Sequence, residues 1–259
     1  MIRSTFRGEV ATLTLSRPPV NAIDPAFIDA LNVTLDEIVA KAPTLVVIRS
    51  DQKCFCAGAD LALIRGFFSA PDGVEAMVAY VKTLHAVFNR VEALQAVTLA
   101  AIDGPALGGG FEFALACDLR IATSAAKIGL PEARVGMIPG AGGTPRLTRL
   151  AGPGVSARLI LGAEVVDGRE AARLGLVQWT CEPAELDQKV QEIADRFATL
   201  SRAALVASKD CIAAWFDPAV DGYAREIEKP RTIMRSEEAK RFVDAFFARQ
   251  AARSAAPNK

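Results

Sequence analysis

The sequence contains a single histidine, His85, and this scarcity restricts the chemistry open to the protein. His85 stands at helical spacing among Leu84, Val87 and Phe88, a pattern typical of a helix packed on a core. A serine or cysteine nucleophile activated by histidine is therefore not expected, and a metal site built from several histidines is excluded. Any catalysis falls to carboxylates, backbone amides, or a lysine or tyrosine.

Cysteine is also sparse, and its spacing favours neither zinc nor redox chemistry. No C-x-x-C pair occurs, and the number of cysteines is odd. All five lie in otherwise apolar segments: Cys54, Cys56, Cys117, Cys181 and Cys211. We expect buried free thiols and no metal site.

The chain has no excess charge of either sign and no long apolar run. Its 30 basic residues balance 30 acidic ones, so no net field attracts nucleic acid or an anionic membrane. The first residues carry no apolar signal core, and no later run is long and charge-free enough to span a bilayer. We expect a cytoplasmic protein without a nucleic-acid or membrane partner.

What the sequence does contain is enough apolar residues, 51% of 259, for a sizeable core. Short apolar runs with strand character alternate with amphipathic helical segments, which predicts an α/β fold. The predicted strands include Val10 to Leu15, Leu45 to Ile48, Val97 to Ile102 and Leu119 to Ile121.

Two helix starts carry clear capping signals. Asp24 is placed to cap a helix with Pro25 at its first position. Asp167 and Glu170 make a start resembling a capping box, and Gly175 is expected to end that helix.

The last part of the chain is predicted to be entirely helical. Helices are expected over Ala203 to Phe216 and Ser236 to Arg253, which divides the chain into a core of residues 1–200 and a helical region of residues 201–259. The pair Phe246-Phe247 on the terminal helix is expected to be a docking face for another subunit.

A run of three glycines, Gly108 to Gly110, predicts a site for an anion. It follows the predicted strand Val97 to Ile102 and begins a helix over about Gly109 to Cys117. Without Cβ atoms, backbone N–H groups can approach a ligand closely at the positive end of the helix dipole. The run does not match a nucleotide-binding fingerprint, and tight packing alone could also explain it.

Two glutamates, 20 positions apart, accompany this turn. Glu112 is embedded in the apolar run Phe111 to Ala116, where a carboxylate is costly unless it has partners or a function. Glu132 follows Pro131 in a predicted loop. Taken singly, Glu112 could be an ordinary helix residue and Glu132 a solvated loop charge.

Four ordered motifs resemble those of the crotonase (enoyl-CoA hydratase/isomerase) family over nearly the whole chain. They are Arg17-Pro18-Pro19-Val20-Asn21-Ala22, Phe55-Cys56-Ala57-Gly58-Ala59-Asp60-Leu61, the segment from Asp103 to Glu112 with Leu130-Pro131-Glu132, and the segment from Gly136 to Thr144. The resemblance implies a right-handed spiral of β-β-α turns with a helical carboxy-terminal trimerisation region, assembled as homotrimers or as hexamers of paired trimers.

The resemblance also implies roles for particular residues. The amides of Ala59 and Gly109 would form an oxyanion hole for a thioester carbonyl. Glu112 would activate water, Glu132 would exchange the proton at Cα, and the amide of Gly140 would help to place the water. The two glutamates are those that the hydratase branch of the family keeps.

Coenzyme A would enter as part of the substrate, and no separate cofactor is expected. Its binding is assigned by resemblance to Ala57 and Gly58, to Asp60 and Leu61 of the same loop, and to Arg249 of the terminal helix. Where some hydratases carry a lysine three positions after the oxyanion-hole alanine, this chain has Ala62.

The sequence thus predicts an enoyl-CoA hydratase that adds water reversibly, with syn geometry, to a 2-enoyl-CoA. A Δ3,Δ2-enoyl-CoA isomerase or another crotonase-type dehydratase is the alternative, and a noncatalytic acyl-CoA or RNA-binding relative is a further one. Acyl-chain preference is expected to depend on Ile64 to Val91, which carries Phe67, Phe68, Met77 and Tyr80, either as a lid or as core.

Overall fold

The structure, a computed structural model, describes residues 1–255, with side chains as far as residue 251; residues 256–259 of the predicted carboxy-terminal region lie outside it. The strands are β1 Ile2–Arg7, β2 Val10–Leu15, β3 Leu45–Ser50, β4 Val97–Ile102, β5 Pro105–Leu107, β6 Leu119–Thr123, β7 Lys127–Gly129, β8 Val165–Asp167 and β9 Trp179–Cys181. The helices are α1 Pro25–Lys41, α2 Leu61–Ser69, α3 Gly73–Glu92, α4 Gly109–Leu115, α5 Gly143–Ile160, α6 Gly168–Arg173, α7 Leu186–Ala198, α8 Arg202–Ala214, α9 Gly222–Ile233 and α10 Glu237–Ala255, with 3₁₀ turns at Glu132–Val135 and Pro183–Glu185. None of the described helices is long and apolar enough to cross a membrane.

The chain separates into two compact units, Met1–Ala198 and Thr199–Lys259. All of the strands named above belong to the first unit, and α8, α9 and α10 belong to the second. The first unit is therefore the α/β part of the molecule.

A six-stranded sheet forms the centre of the first unit, in the order β1-β2-β3-β4-β6-β9. Only β1 and β2 pair antiparallel, and the remaining neighbours pair parallel. Every residue of β4 is buried, as expected for a parallel strand covered on both faces. β4 is followed by the short strand β5 and then by the glycine run, so the centre of the core helps to position that turn.

A second sheet of three short strands, in the order β5-β7-β8, lies beyond β4 in the chain. β5 ends at Leu107, just before the glycine run, and pairs parallel with β7. An isolated parallel bridge joins Ala106 of β5 to Cys56. The segment that carries the second predicted motif is thereby held beside the start of α4.

The predicted helix caps are confirmed. The Asp24 carboxylate accepts a hydrogen bond of 2.8 Å from the amide of Phe27, and Pro25 begins α1. The Asp167 carboxylate accepts one of 2.9 Å from the amide of Glu170 at the start of α6. These local signals hold because capping depends on a few adjacent residues and not on the rest of the fold.

Three phenylalanines fix α4 in the core. Phe113 of α4 stacks on Phe88 of α3, with ring centroids 5.3 Å apart and planes 9° apart. Its other neighbour is Phe55, at 6.1 Å between centroids. The helix that bears Glu112 is thus packed between α3 and the segment that follows β3.

The second unit has the two helices expected for the end of the chain, α8 and α10, and between them a helix that was not predicted, α9. Ser201 caps α8 by accepting a hydrogen bond from the amide of Ala204, and Glu238 of α10 accepts one of 2.8 Å from the amide of Arg202. Phe246 and Phe247 are 56% and 61% exposed in the single chain. Their exposure leaves an apolar surface on α10.

The cysteines are free thiols, and four of the five are buried, as expected; Cys211 is half-buried. Burial raises the pKa of the Cys54 thiol to about 11 and that of Cys56 to about 12. Thiols with such pKa values stay protonated at neutral pH and make poor nucleophiles.

Candidate active site

The glycine run is a tight turn in which side chains are excluded. Gly108 has a φ of +52°, a conformation that favours glycine, and its amide donates to the carbonyl of Gly129. A Cβ on Gly110 would lie only 2.0 Å from the carbonyl oxygen of Cys56. The run is therefore needed to bring α4 against the Cys56 segment.

This close packing places the amides of Ala59 and Gly109 beside each other. A Cβ on Gly109 would lie 3.4 Å from the amide nitrogen of Ala59. Gly58, with a φ of +97°, makes the approach possible, since a Cβ there would lie 3.0 Å from the Gly109 nitrogen. Within residues 1–255, neither amide donates a hydrogen bond to another backbone group. Two backbone donors are thus available to one small acceptor.

The amino-terminal motif holds the Ala59 loop in place. The amide of Ile23 donates to the carbonyl of Gly58 at 2.8 Å, and the amide of Asp60 donates to the carbonyl of Ile23 at 2.9 Å. The buried Asn21 side chain donates to the carbonyl of Phe55 at 2.9 Å. This supporting role of Asn21 was not predicted, although its place in the first motif was a signal for it.

Glu112 is almost completely buried, at 2% exposure, on the first turn of α4. Its Oε1 accepts hydrogen bonds from the amides of Ala141, at 2.8 Å, and Gly143, at 2.7 Å. Burial raises the pKa of Glu112 to about 7; the charge of Glu132 adds to the rise, and the two amides oppose it. The carboxyl can therefore both take up and release a proton near neutral pH.

Glu132 begins the 3₁₀ turn that follows β7, and its carboxyl lies against the glycine run. A Cβ on Gly108 would be 3.1 Å from Oε1 of Glu132. Oε2 is buried and has no hydrogen-bond partner among the described residues. Burial raises the pKa of Glu132. A buried carboxyl oxygen without a partner is costly, so this atom is suited to a bound molecule that can donate to it or accept its proton.

The loop before α5 contributes donors that were not predicted. The amides on Glu112 belong to Ala141 and Gly143, whereas the carbonyl of Gly140 accepts a hydrogen bond of 2.8 Å from Nε2 of His85. The water-placing role of the Gly140 amide stays a prediction. Backbone donors in a loop leave little sequence signal, and the glycines of this segment were the only indication.

The residues predicted to bind coenzyme A differ in their surroundings. Ala57 and Leu61 are exposed, and Gly58 is buried. The Asp60 carboxylate caps α2 by accepting from the amide of Ala62 at 2.8 Å. Arg249 is exposed on α10 and belongs to the second compact unit.

The segment predicted to control acyl preference consists of α2, a short break and most of α3. Phe67 and Tyr80 are in ring contact, with centroids 6.0 Å apart, and Met77 packs on the core. Tyr80 is buried, and its hydroxyl donates to the carbonyl of Ile23 at 2.8 Å. Phe68 is 78% exposed. Three of the four side chains therefore belong to the packed interior or its edge.

The arrangement unites two free amides with two carboxyls of raised pKa around one glycine turn. The amides can stabilise a developing negative charge on oxygen, and the carboxyls can move protons. In the described part of the chain, no group of three or more histidine, cysteine, aspartate or glutamate side chains is arranged to hold a metal ion.

Comparison with known proteins identifies relatives over nearly the whole chain. Residues 5–251 match the family model described as Enoyl-CoA hydratase/isomerase. The short-chain-enoyl-CoA hydratase of Clostridium acetobutylicum is 36% identical over 208 residues, covering 79% of this chain and 78% of that protein. The crotonyl-CoA hydratase of Syntrophomonas wolfei is 38% identical over 206 residues, covering 78% of this chain and 76% of that protein.

The fold is likewise shared with solved structures. The crystal structure of an enoyl-CoA hydratase from Bacillus anthracis matches with a TM-score of 0.87 and 31% identity, covering 96% of both chains. A structure of DspI from Pseudomonas aeruginosa matches with the same TM-score and identity, covering 96% of this chain and 94% of that chain.

Proposed function

The chain belongs to the enoyl-CoA hydratase/isomerase family, as its motifs indicated, and is an enzyme of the enoyl-CoA hydratase class; we propose that Glu112 and Glu132 carry out its reaction, the reversible syn addition of water to a 2-enoyl-CoA. Its substrates are CoA thioesters. The fold is the crotonase fold, with a helical carboxy-terminal region.

The thioester carbonyl binds, in this proposal, to the amides of Ala59 and Gly109. Addition of oxygen at Cβ moves electrons towards the carbonyl and makes its oxygen negative. Two preorganised N–H donors stabilise that charge, one of them at the start of α4, where the helix dipole is also favourable. Removing one donor of this kind typically costs about 2.7–4 kcal/mol in the activation barrier.

The carboxyl pair supplies the proton transfers. The ionised Glu112 accepts a proton from water as the water oxygen bonds to Cβ, and the protonated Glu132 delivers a proton to Cα. The net change is water added across the double bond and one proton moved from Glu132 to Glu112. Return of that proton through solvent restores the starting state, so no cofactor beyond the CoA of the substrate is needed.

The observation that carries this assignment is the presence of two carboxyls of raised pKa at one glycine turn, that of Glu112 buried and that of Glu132 half-buried with Oε2 out of contact with solvent. A double-bond isomerase needs only one proton shuttle, because a proton leaves one carbon and returns to another. Here both Glu112 and Glu132 have raised pKa values, and Oε2 of Glu132 lacks a partner in the described chain. A second buried carboxyl without a function would only lower stability.

The proposal extends to assembly and location. The exposed apolar residues of α10, Phe246 and Phe247, are proposed to pack against other subunits in a homotrimer or hexamer. Arg249, close to them in sequence, is proposed to contact coenzyme A, as is the loop of Ala57, Gly58, Asp60 and Leu61, in which Asp60 contributes by capping α2. Five free thiols are compatible with the reducing cytoplasm, where we place the protein.

The test is the loss of conjugated enoyl-thioester absorbance on mixing the protein with crotonyl-CoA. Glu112→Gln and Glu132→Gln should each lower kcat by about 10²–10⁴-fold, with the variants still folded and still binding CoA thioester. Isomerisation of a 3-enoyl-CoA is measured in parallel. Retention of that activity by either single variant, with no hydration by the wild type, would contradict the hydratase assignment.

A further inference from the structure

One face of α3 holds the loop whose two amides donate hydrogen bonds to the Glu112 carboxyl. His85, Asn89 and Glu92 stand at positions i, i+4 and i+7, so they share one face of the helix. Nε2 of His85 donates to the carbonyl of Gly140 at 2.8 Å. The other two side chains reach the same loop through an arginine.

That arginine is Arg146, on the first turn of α5 and only 6% exposed. Its guanidinium donates to the carbonyl of Ala141 at 3.0 Å, to Oδ1 of Asn89 at 2.6 Å and to Oε2 of Glu92 at 2.9 Å. Gly142 passes so close that a Cβ there would lie 2.2 Å from Nη1 of Arg146. Among the side chains, only the planar guanidinium of arginine has enough donors in a fixed geometry to bond all three acceptors at once.

These hydrogen bonds connect Arg146 to the Glu112 carboxyl through the loop. Ala141 accepts from Arg146 through its carbonyl and donates to Oε1 of Glu112 through its amide. Gly143, two residues on, supplies the second donor to the same oxygen. Fixing the loop at Gly140 and Ala141 therefore fixes both donors and the position of the carboxyl.

We propose that Arg146, held by Asn89 and Glu92 and assisted by His85, is the positioning residue that orients the Glu112 carboxyl for its reaction. It touches no reacting atom. The inference rests on the proposed function only in taking Glu112 as the reacting carboxyl. A displacement of about 1 Å in such a group can lower a rate by about 10²-fold, so the expected effect is on kcat and not on KM.

The charged and titratable groups around Glu112 also set its pKa, which gives the proposal a second measurable effect. Glu132, from the 3₁₀ turn, raises its pKa, and Arg146, from α5, lowers it. From α3, Tyr80 has a raised pKa and is protonated, and His85 donates to the loop carbonyl of Gly140. Removing the Arg146 charge should therefore raise the pKa of Glu112, whereas moving the carboxyl alone should leave the electrostatic contribution of this charge in place.

Two substitutions separate charge from geometry. Arg146→Gln removes both the guanidinium group and its positive charge. Arg146→Lys keeps the charge, but its single ammonium group cannot bond all three acceptors. Both should lower kcat by about tenfold or more with KM within about threefold. Both should raise the pKa of Glu112 by loosening its two amide donors, and Arg146→Gln should raise it further because it also removes the charge. Arg158→Gln is the matched control, because Arg158 also lies on α5 but pairs with Glu164 and Glu170.

Two variants of His85 alter only one hydrogen bond of the loop, and they test the proposal even if Arg146→Gln fails to fold. His85→Leu removes the donor to Gly140 and should lower kcat about threefold to tenfold. His85→Gln restores an N–H donor and should recover most of that loss.

The pKa of Glu112 is read from the infrared absorption of its protonated carboxyl, assigned by difference from Glu112→Gln, without substrate. This readout stands even if the wild type hydrates no enoyl-CoA. Folded Arg146 variants with unchanged kcat, or an Arg146→Gln variant with an unshifted Glu112 titration, would overturn the proposal. Equal losses in His85→Leu and His85→Gln would also overturn the part assigned to His85.

Discussion

The amide of Gly143 donates a hydrogen bond of 2.7 Å to Oε1 of Glu112, and the two residues are in such close contact that no side chain fits between them. A Cβ on Gly143 would lie 2.8 Å from that oxygen and 3.0 Å from Cδ1 of Leu130. The absence of a side chain at position 143 is therefore part of the environment that sets the position of the carboxyl.

Gly143→Ala should displace the Glu112 carboxyl and lower kcat by about 10²-fold, because neither the buried glutamate nor Leu130 can move away without cost. The measurement is crotonyl-CoA hydration beside thermal unfolding. Gly154→Ala, on the same helix with nothing within 4 Å of the new methyl, is the control and should keep wild-type kcat. Equal kcat in the two variants would count against tight positioning of Glu112.

Gly58→Ala tests the two backbone donors, which no side-chain deletion can remove. The new methyl would lie 2.8 Å from the carbonyl oxygen of Leu107 and 3.0 Å from the Gly109 nitrogen, and the φ of +97° is unfavourable for alanine. We expect the amides of Ala59 and Gly109 to separate, with kcat falling about 10²–10³-fold. Crotonyl-CoA turnover by the purified variant measures this.

Gly154→Ala is the matched control for this substitution too. Its methyl would lie in open space on α5, outside the segment proposed to control acyl preference, so the variant should keep wild-type kcat. A Gly58→Ala variant as active as Gly154→Ala would refute the proposed oxyanion hole.

Ionisation of Glu112 should make stability depend on pH. Its pKa rises from 4.5 in the unfolded chain to about 7 in the folded one, so the folded state binds this proton more tightly. The wild type therefore loses stability as the pH rises from 4.5 to 7, whereas Glu112→Gln does not ionise. Between pH 5 and pH 8 the variant should gain about 2–3 kcal/mol relative to the wild type.

Urea unfolding of both proteins at one protein concentration measures this difference. The comparison between the two proteins cancels the carboxyls that do not interact with Glu112, so what remains is the ionisation of Glu112 and its coupling to Glu132. A constant difference in unfolding free energy across the pH range would show that Glu112 has an ordinary pKa.

Asp60 should prove to be a structural residue more than a substrate ligand. Asp60→Ala removes the cap of α2 and should cost about 1 kcal/mol of stability, while Asp60→Asn keeps a side-chain oxygen for the same amides. We expect Asp60→Asn to bind crotonyl-CoA with nearly wild-type KM. A large rise in KM for Asp60→Asn, with unchanged stability, would instead assign Asp60 to coenzyme A.

The sequence was most informative where a short stretch of chain decides the structure. Asp24 and Asp167 cap helices as predicted, because a cap needs only neighbouring amides. Strands β2 and β4 were found where dense apolar runs predicted them. The three-residue strands β5, β7, β8 and β9 were not predicted, because so few residues display no periodicity.

For the site, the motifs pointed to the two glutamates but not to their surroundings. Glu112 stood out as a charge in an apolar run, and the structure confirms its burial. The amides of Ala141 and Gly143 could not be identified, since every residue but proline carries such a group and only the fold selects which ones converge. His85 was expected to be a core residue, and its bond to Gly140 depends on a contact 55 positions away in the chain.

The donors proposed for the thioester oxygen belong to the backbone, and this changes where the site is vulnerable to mutation. An alanine at position 109 would keep its N–H group, yet a methyl at position 110 would collide with the carbonyl of Cys56. Genetic screens that seek loss of function should therefore find hits at Gly58 and Gly110, beside the backbone donors, as well as at the two glutamates. The backbone donors thus depend on the glycines beside them and not on the side chains of the donor residues themselves.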